Sequence, residues 1–326
     1  MKIHILIVLF FVGVIAVLGG THFLLNGSTD DESEVEGVGV VEKEDDDMED
    51  VYEVAIIQDV PRDAIPPLDS PKYETIEEVS EWLEDDDIVL GVVFDNDARA
   101  YPSKLMNWHE IVNETIGDRE VSVTYCQLCN SGVVFDRHLN GRLLNFGNTG
   151  ALYESAMVMY DRETETYWYH INGLGLQGPL KGERLSILPS SMMLWRDWKE
   201  QQPNTQVLSL DTGFSRPYLS NPSVSYAQPN SDPAFPVSRQ DARLFPKEQV
   251  IGVTVQGISK AYLIKAVQGK SIRDTVHGKQ VEVVGDDEGI SAQLFFIEDN
   301  KRVPAPSSST FWFAWFAAYP DTELYK

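Results

Sequence analysis

Sulfur is nearly absent from this chain as a nucleophile: its 326 residues include two cysteines, Cys126 and Cys129. A framework of several disulfides is therefore excluded, and so is a zinc site built from four thiolates. Positive charge is scarce as well. Lys and Arg number 26 against 51 Asp and Glu, a formal net charge of −25. That balance argues against nucleic acid as a partner, because phosphate binding needs a basic surface. There is no Gly-rich phosphate loop, so no nucleotide cofactor is expected, and there is no nucleophile elbow and no His-Glu-x-x-His. Asp211-Thr212-Gly213 resembles half of an aspartic-protease pair, but one copy cannot share a proton between two carboxylates. It reads as a turn.

Long apolar runs are missing except at the start. Lys2 precedes an uncharged stretch from Ile3 to Leu18, and weaker apolar character continues to Leu25. Residues 1–25 fit a transmembrane anchor, which needs about 20 apolar residues. They also fit a signal peptide cleaved after Val17-Leu18-Gly19. The charge asymmetry places the N-terminus inside. Both readings export the rest. The expected location is the cell membrane, single-pass with an extracytoplasmic domain, or the exterior after cleavage. The membrane is the partner reached through this segment, and no protein partner is legible. Residues 26–53 carry 13 acids against Lys43. Such a segment repels itself and is expected to be a disordered spacer.

Residues 54–326 are expected to fold as one unit made of two related halves. Gly91-Val92 and Ala100-Tyr101 recur as Gly252-Val253 and Ala261-Tyr262, 161 positions on. Thr115, Val121, Val123 and Phe135 recur 160 positions on as Thr275, Val281, Val283 and Phe295. Pro189-Ser190-Ser191, Trp195, Trp198, Pro203 and Thr205 recur 117 positions on as Pro306-Ser307-Ser308, Trp312, Trp315, Pro320 and Thr322. An internal duplication is the reading, with a first copy at about 88–205 and a degenerate second at about 249–326. A proline-rich connector, about 206–248, separates them. Proline at that density precludes regular helix and central strand, so a surface loop is expected; a loop of that length can also act as a lid.

The fold class is β-rich α+β, two β-dominated halves with a few short helices. Ile88–Phe94 and Ala98–Tyr101 flank the turn residues Asp95-Asn96-Asp97 and predict a hairpin. Glu120–Tyr125, Gly132–Asp136, Arg142–Phe146, Met157–Tyr160 and Thr166–Ile171 read as strands. Helices are predicted over Thr75–Glu84, with Thr75 and Glu78 at capping-box spacing, and over Met193–Gln202 and Phe311–Tyr319. The tryptophans of the last two share one helix face and read as core anchors. Asp136-Arg137 and Asp161-Arg162 read as strand ends closed by side-chain hydrogen bonds.

Cys126-Gln127-Leu128-Cys129 lies between two predicted strands, as in a metal-binding knuckle. Amides after the first Cys point back at its sulfur in such a turn, and Asn130 and Gly132 accept the left-handed conformation it needs. Two thiolates suit copper or zinc, but further ligands must come from elsewhere. His109 is the first candidate, because the second copy lacks both cysteines and this imidazole. His138, His170, Met157 and Met159 follow. A redox dithiol would use the same Cys126 and Cys129 catalytically, although the helix that usually activates such a thiol is not predicted. A structural disulfide is the third reading, and a scaffold or partner-binding module would follow from it.

These motifs, together with Ala98-Arg99-Ala100-Tyr101-Pro102, Asn107-Trp108-His109-Glu110-Ile111-Val112-Asn113, Val123-Thr124-Tyr125-Cys126 and Met159-Tyr160-Asp161-Arg162, resemble the domain-of-unknown-function family 3179 of bacteria and archaea. So do Asp211-Thr212-Gly213-Phe214 and Phe313-Ala314-Trp315. The resemblance spans about residues 54–326 and implies one coherent domain. It implies no activity. Members often read Cys-Pro-x-Cys, and here Gln127 stands in place of the proline.

Overall fold

The computed structural model describes residues 55–220 and 226–326. The anchor-or-signal segment, the acidic spacer and Pro222 of the connector lie outside the described residues. Among the described residues no helix is long and apolar enough to cross a membrane. Strands dominate and the helices are short.

The largest sheet crosses from one half of the chain to the other. In spatial order it runs Glu323–Tyr325, Ile258–Leu263, Gln249–Val255, Ser307–Phe311, Ser131–Asp136, Arg119–Cys126, Ile111–Ile116. The seam is the antiparallel pairing of Ser309 with Gly132. A second sheet orders Ser191–Leu194, Ile88–Phe94, Asp97–Pro102, Gln206–Leu208 and Tyr73–Glu74. A third contains Phe146–Tyr153, Ala156–Asp161 and Tyr167–Tyr169. Strand alternation divides the core. Val121, Val123 and Tyr125 pack with Tyr101, Leu105 and Met106. Cys126, on the opposite face, packs with Phe146, Met157, Met159 and Trp168.

Both halves use the same connections. Ser191–Leu194 pairs antiparallel with Ile88–Phe94, and Gln206–Leu208 pairs parallel with Asp97–Pro102. Ser307–Phe311 pairs antiparallel with Gln249–Val255, and Glu323–Tyr325 pairs parallel with Ile258–Leu263. Side chains follow suit. Trp198 Nε1 donates to Thr205 Oγ1 at 3.0 Å, and Trp315 Nε1 to Thr322 Oγ1 at 2.9 Å. Tyr101 Oη donates to Glu114, and Tyr262 Oη to Asp274. A glycine under each tryptophan makes the close approach possible. A Cβ on Gly91 would lie 2.2 Å from the Trp198 ring, and one on Gly252 would lie 2.2 Å from the Trp315 ring.

Local chemistry explains most element boundaries. The Ile88–Phe94 hairpin turns through Asp95 and Asn96, both at positive φ, which matches the right-handed twist of the strands. Thr75 caps its helix with the full reciprocal box, but the helix spans only Ile76–Val79. Beyond it the run of acids Glu81, Glu84, Asp85, Asp86 and Asp87 offers a C-terminus no favourable charge. The tryptophan helices are Trp195–Gln201 and Trp312–Ala318. The expected Arg142–Phe146 strand is interrupted: Arg142–Leu143 closes a small ribbon and Phe146–Tyr153 begins another sheet. The helix Ser103–His109 has no counterpart in the sequence reading. It starts directly after Pro102 and ends at Glu110, held left-handed at φ 57°.

Gly91→Ala is expected to lower stability by about 1–3 kcal/mol, the usual cost of overpacking a tight core, with Gly252→Ala behaving alike. Chemical denaturation of both variants checks this; an unchanged midpoint in both would contradict the contact.

Candidate dithiol site

Strands Arg119–Cys126 and Ser131–Asp136 pair up to Cys126 and Ser131, leaving residues 127–130 as the hairpin tip. Asn130 takes the positive φ (44°) that closes it. The second half of the chain clamps the tip. Phe311 N–H donates to Cys129 O at 2.9 Å, and Thr310 Oγ1 donates to the same carbonyl at 3.0 Å. Asn130 and Gln249 exchange two further bonds. Both cysteines are free thiols, Cys126 1% and Cys129 0% exposed.

The two thiols are not equivalent. Burial works to raise Cys126, but it is outweighed by hydrogen bonds from the Cys129 thiol and from the N–H groups of Met157, Cys129 and Leu128, so Cys126 falls below the usual thiol value. Cys129 is pushed well above it by burial and by its contact with the Cys126 side chain. The pair is thus asymmetric, with Cys126 the more acidic thiol and Cys129 the less acidic one.

The equivalent turn of the second half clarifies what this geometry is for. At the offset of 160, Cys126 corresponds to Asp286 and Ser131 to Ser291. Asp286 Oδ1 accepts the N–H groups of Glu288, Gly289 and Ile290, and its Oδ2 accepts both the N–H and the hydroxyl of Ser291. In both turns the N–H groups of the tip converge on the side chain of its first residue, Asp286 in one and Cys126 in the other.

Beyond Cys129 a directed chain of hydrogen bonds runs inward. The Thr124 hydroxyl donates to Val133 O at 2.6 Å, so its oxygen must accept from His170 Nδ1 at 3.2 Å. His170 is then protonated on Nδ1, and Nε2 accepts from Ser131 Oγ at 2.7 Å. Ser131 Oγ in turn lies 3.3 Å from Cys129 Sγ. Burial holds the imidazole neutral by lowering it to about 3. On the other side stands Glu110, 6% exposed. Burial, then the charge on Cys126, pushes its carboxyl well above the usual range. Asn148 Nδ2 bonds Glu110 Oε2 and lies 3.6 Å from Met157 Sδ. Tyr169 packs in the same cluster, with a buried hydroxyl that has no hydrogen-bond partner among the described residues.

Described connector residues pack on the cluster that contains the pair. Tyr226 and Val237 pack against the cluster that holds both thiols. Ser238 N and Oγ bond the buried Glu154, and Phe235 N bonds Ser155 Oγ at 3.3 Å. Lys247 Nζ bonds Tyr226 O at 2.8 Å and sits over the Tyr226 ring.

The remaining sequence candidates lie elsewhere or play other parts. His109 has both nitrogens engaged: Nδ1 with Pro66 O at 2.8 Å and Nε2 with Tyr218 Oη at 2.6 Å. The carbonyl can only accept, so Nδ1 carries the proton and Tyr218 donates to Nε2. Thr212 of the Asp-Thr-Gly turn bonds the same tyrosine hydroxyl. His109 therefore fastens the beginning of the connector to the first half and offers no lone pair toward the cysteines. His138 is exposed on the small ribbon beside Asp136. Met159 is buried in the cysteine cluster, while Met157 contributes its backbone N–H to Cys126. Among the described residues no three His, Cys, Asp or Glu side chains are grouped to hold a metal ion. Glu110, Ser131, Asn148 and Tyr169 were not singled out from the sequence. Ser131 alone carried a signal, its place two residues after Cys129.

A family model described as protein of unknown function, DUF3179, matches residues 62–322. No curated protein and no solved structure matches the chain.

Neutral burial of His170 and His109 has a pH signature. Their folded values lie below the ordinary imidazole value of 6.5. The unfolded chain therefore binds more protons below that point, and stability falls as pH drops from 6.5 toward about 3. Denaturation at stepped pH is expected to show a shallower loss in His170→Gln than in wild type. Parallel curves would contradict the assignment.

Proposed function

We propose that this chain, which belongs to the DUF3179 family of proteins of unknown function, is an extracytoplasmic thiol–disulfide oxidoreductase whose working groups are Cys126 and Cys129. The observation that carries the proposal is the anion-binding hairpin tip: where one half holds the Asp286 carboxylate, the other presents a sulfur. A thiolate is the form that attacks sulfur and oxygen electrophiles. The second thiol sits on the same hairpin tip, its sulfur 3.8 Å from the Cys126 carbonyl oxygen, so both partners of an S–S bond lie close together.

In the reduced state Cys126 carries the charge and Cys129 the proton. A substrate disulfide accepts the two electrons: it leaves as two thiols, taking the Cys129 proton and one from solvent, as the Cys126–Cys129 bond forms; an external dithiol reverses the exchange and becomes a disulfide itself. A hairpin tip replaces the helix N-terminus as the source of N–H dipoles. The metal reading is less well supported, since His109 is committed to Pro66 and Tyr218. Export through residues 1–25 would place the dithiol where disulfides persist.

Equilibration of the full chain with thiol–disulfide buffers tests the proposal. The expected midpoint lies between about −120 and −270 mV, the span of known dithiol oxidoreductases, and Cys129→Ser is expected to retain mixed disulfides on Cys126. A midpoint below about −300 mV would mark a structural staple instead. Stoichiometric copper or zinc in the reduced protein, lost in Cys126→Ser, would overturn the proposal in favour of a metal centre.

A further inference from the structure

We infer that residues 226–238 are a lid on the cysteine cluster, which opens as one unit while the sheets beneath stay folded, and that exchange partners reach Cys126 through the open state. The purpose of the lid rests on the dithiol reading above and adds how that site is reached; its motion does not depend on it.

The need for a movement comes first. Thiol–disulfide exchange brings one sulfur onto another, whichever way the electrons run. Cys126 is 1% and Cys129 0% exposed. Neither the substrate disulfide nor the dithiol that resets the pair meets them in the closed state. Some part of their surroundings has to move, and one movement serves both exchanges.

The loop is the part built to move. Between Leu208 and Gln249 no helix or strand forms among the described residues, so no ladder of backbone bonds ties it to a sheet. It holds itself together instead. The Tyr226 hydroxyl accepts the Ala234 N–H at 3.1 Å, and Ser231 donates to Gln228 O through its N–H at 3.0 Å and its hydroxyl at 2.8 Å. Pro229, Pro233 and Pro236 fix their own φ, so the loop is stiff and moves as a body. Its C-terminal side continues into a fixed stretch: Trp312 Nε1 donates to Asp241 O at 3.2 Å, and Arg243 Nη1 donates to Thr322 O at 3.1 Å.

Its fastenings come from two buried charged residues and one hydroxyl. Glu154, 3% exposed, accepts the Ser238 N–H at 2.7 Å and the Ser238 hydroxyl at 2.5 Å. Lys247, 2% exposed, donates from Nζ to Tyr226 O at 2.8 Å and Ser231 Oγ at 2.9 Å, and from its N–H to Pro229 O at 3.0 Å. Ser155 Oγ accepts the Phe235 N–H at 3.3 Å. Bonds to charged groups are the strong kind, so Glu154 and Lys247 act as latches. Between them Tyr226 and Val237 rest on the cluster that contains both cysteines. Along one edge the loop is not packed onto the hairpin tip: a cleft of about 250 Å³ is lined by Ala227, Pro229 and Lys247 together with Asn130 and Gln249. A segment with few apolar contacts and side-chain fastenings opens at lower cost than the sheets it rests on.

The test follows thiol access in the reduced full chain, as release of thionitrobenzoate from dithiobis-nitrobenzoate, over a series of urea concentrations below the unfolding transition. Tryptophan fluorescence gives the unfolding curve of the same samples. Opening a loop exposes little surface, so the logarithm of the labelling rate is expected to rise at low urea with less than about a third of the global unfolding slope. Glu154→Ala removes both acceptors of Ser238 and is expected to label at least about tenfold faster in that shallow branch; Tyr226→Ala is expected to act in the same direction. A variant that also lowers global stability shows it in the unfolding curve, and the shallow branch still reads the latch. Labelling that follows the full unfolding slope at every urea concentration would overturn the lid. A shallow branch that neither variant accelerates would also overturn it, because access would run by another route, and the dithiol reading would stand on its midpoint potential. A shallow branch that both variants accelerate, with no reversible bond between Cys126 and Cys129 in thiol–disulfide buffers, would uphold the lid and overturn the dithiol reading.

Discussion

Everything at this site depends on a short hairpin tip whose amides converge on one atom. An isolated anion buried in an apolar core is costly, and dipoles must replace the water it gave up. Around Cys126 those dipoles are three N–H groups and the thiol of Cys129. The groups beyond them stay neutral. Burial and the sulfur's charge hold the proton on Glu110, and burial keeps the proton off His170 Nε2. The surroundings thus favour a negative charge on Cys126 over one on Glu110. The asymmetry between the thiols gives two identical side chains different chemistry.

The tip owes its rigidity to the fold around it. Both flanking strands lie in the sheet that joins the two halves, and the seam pairs Gly132 with Ser309 two residues from the tip. Phe311, Thr310 and Gln249 fix its carbonyls from the second half. The second half thus contributes no sulfur and still shapes the site. Its hairpin turn at Asp286 places a carboxylate where the turn at Cys126 places a thiol. Both rest on the same strands, tryptophan–threonine bonds and glycine clearances. The frame is common to both halves, and the chemistry depends on the residues at the tip.

Much of the fold was legible because its signals are local or repeated. The Asp95-Asn96 turn, the Thr75 capping box and the strand alternation before Cys126 each follow from neighbours in sequence. The placement of the cysteines at a hairpin tip was legible for the same reason. The surroundings of the sulfurs were not. Glu110, Asn148 and Tyr169 join them from separate elements, and no spacing rule links residues brought together by tertiary packing; His170 and Met157 were candidates only as metal ligands, not for the roles they take. Glu110 also depends on a left-handed helix end that an acidic side chain gives no reason to expect. His109 illustrates the opposite error. Its absence from the second half tied it to the cysteines by correlation, whereas its hydrogen bonds tie it to Pro66 and to Tyr218 of the connector.

The central claim is that the fold holds Cys126 as a thiolate. Ultraviolet absorbance of the reduced protein against pH measures this directly, with Cys126→Ser as the reference. The expected result is a thiolate signal, absent from the variant, that rises below the ordinary cysteine value of about 8.5. A signal that appears only at or above that value would contradict the claim, because the amides of the tip would then not be stabilising a charge.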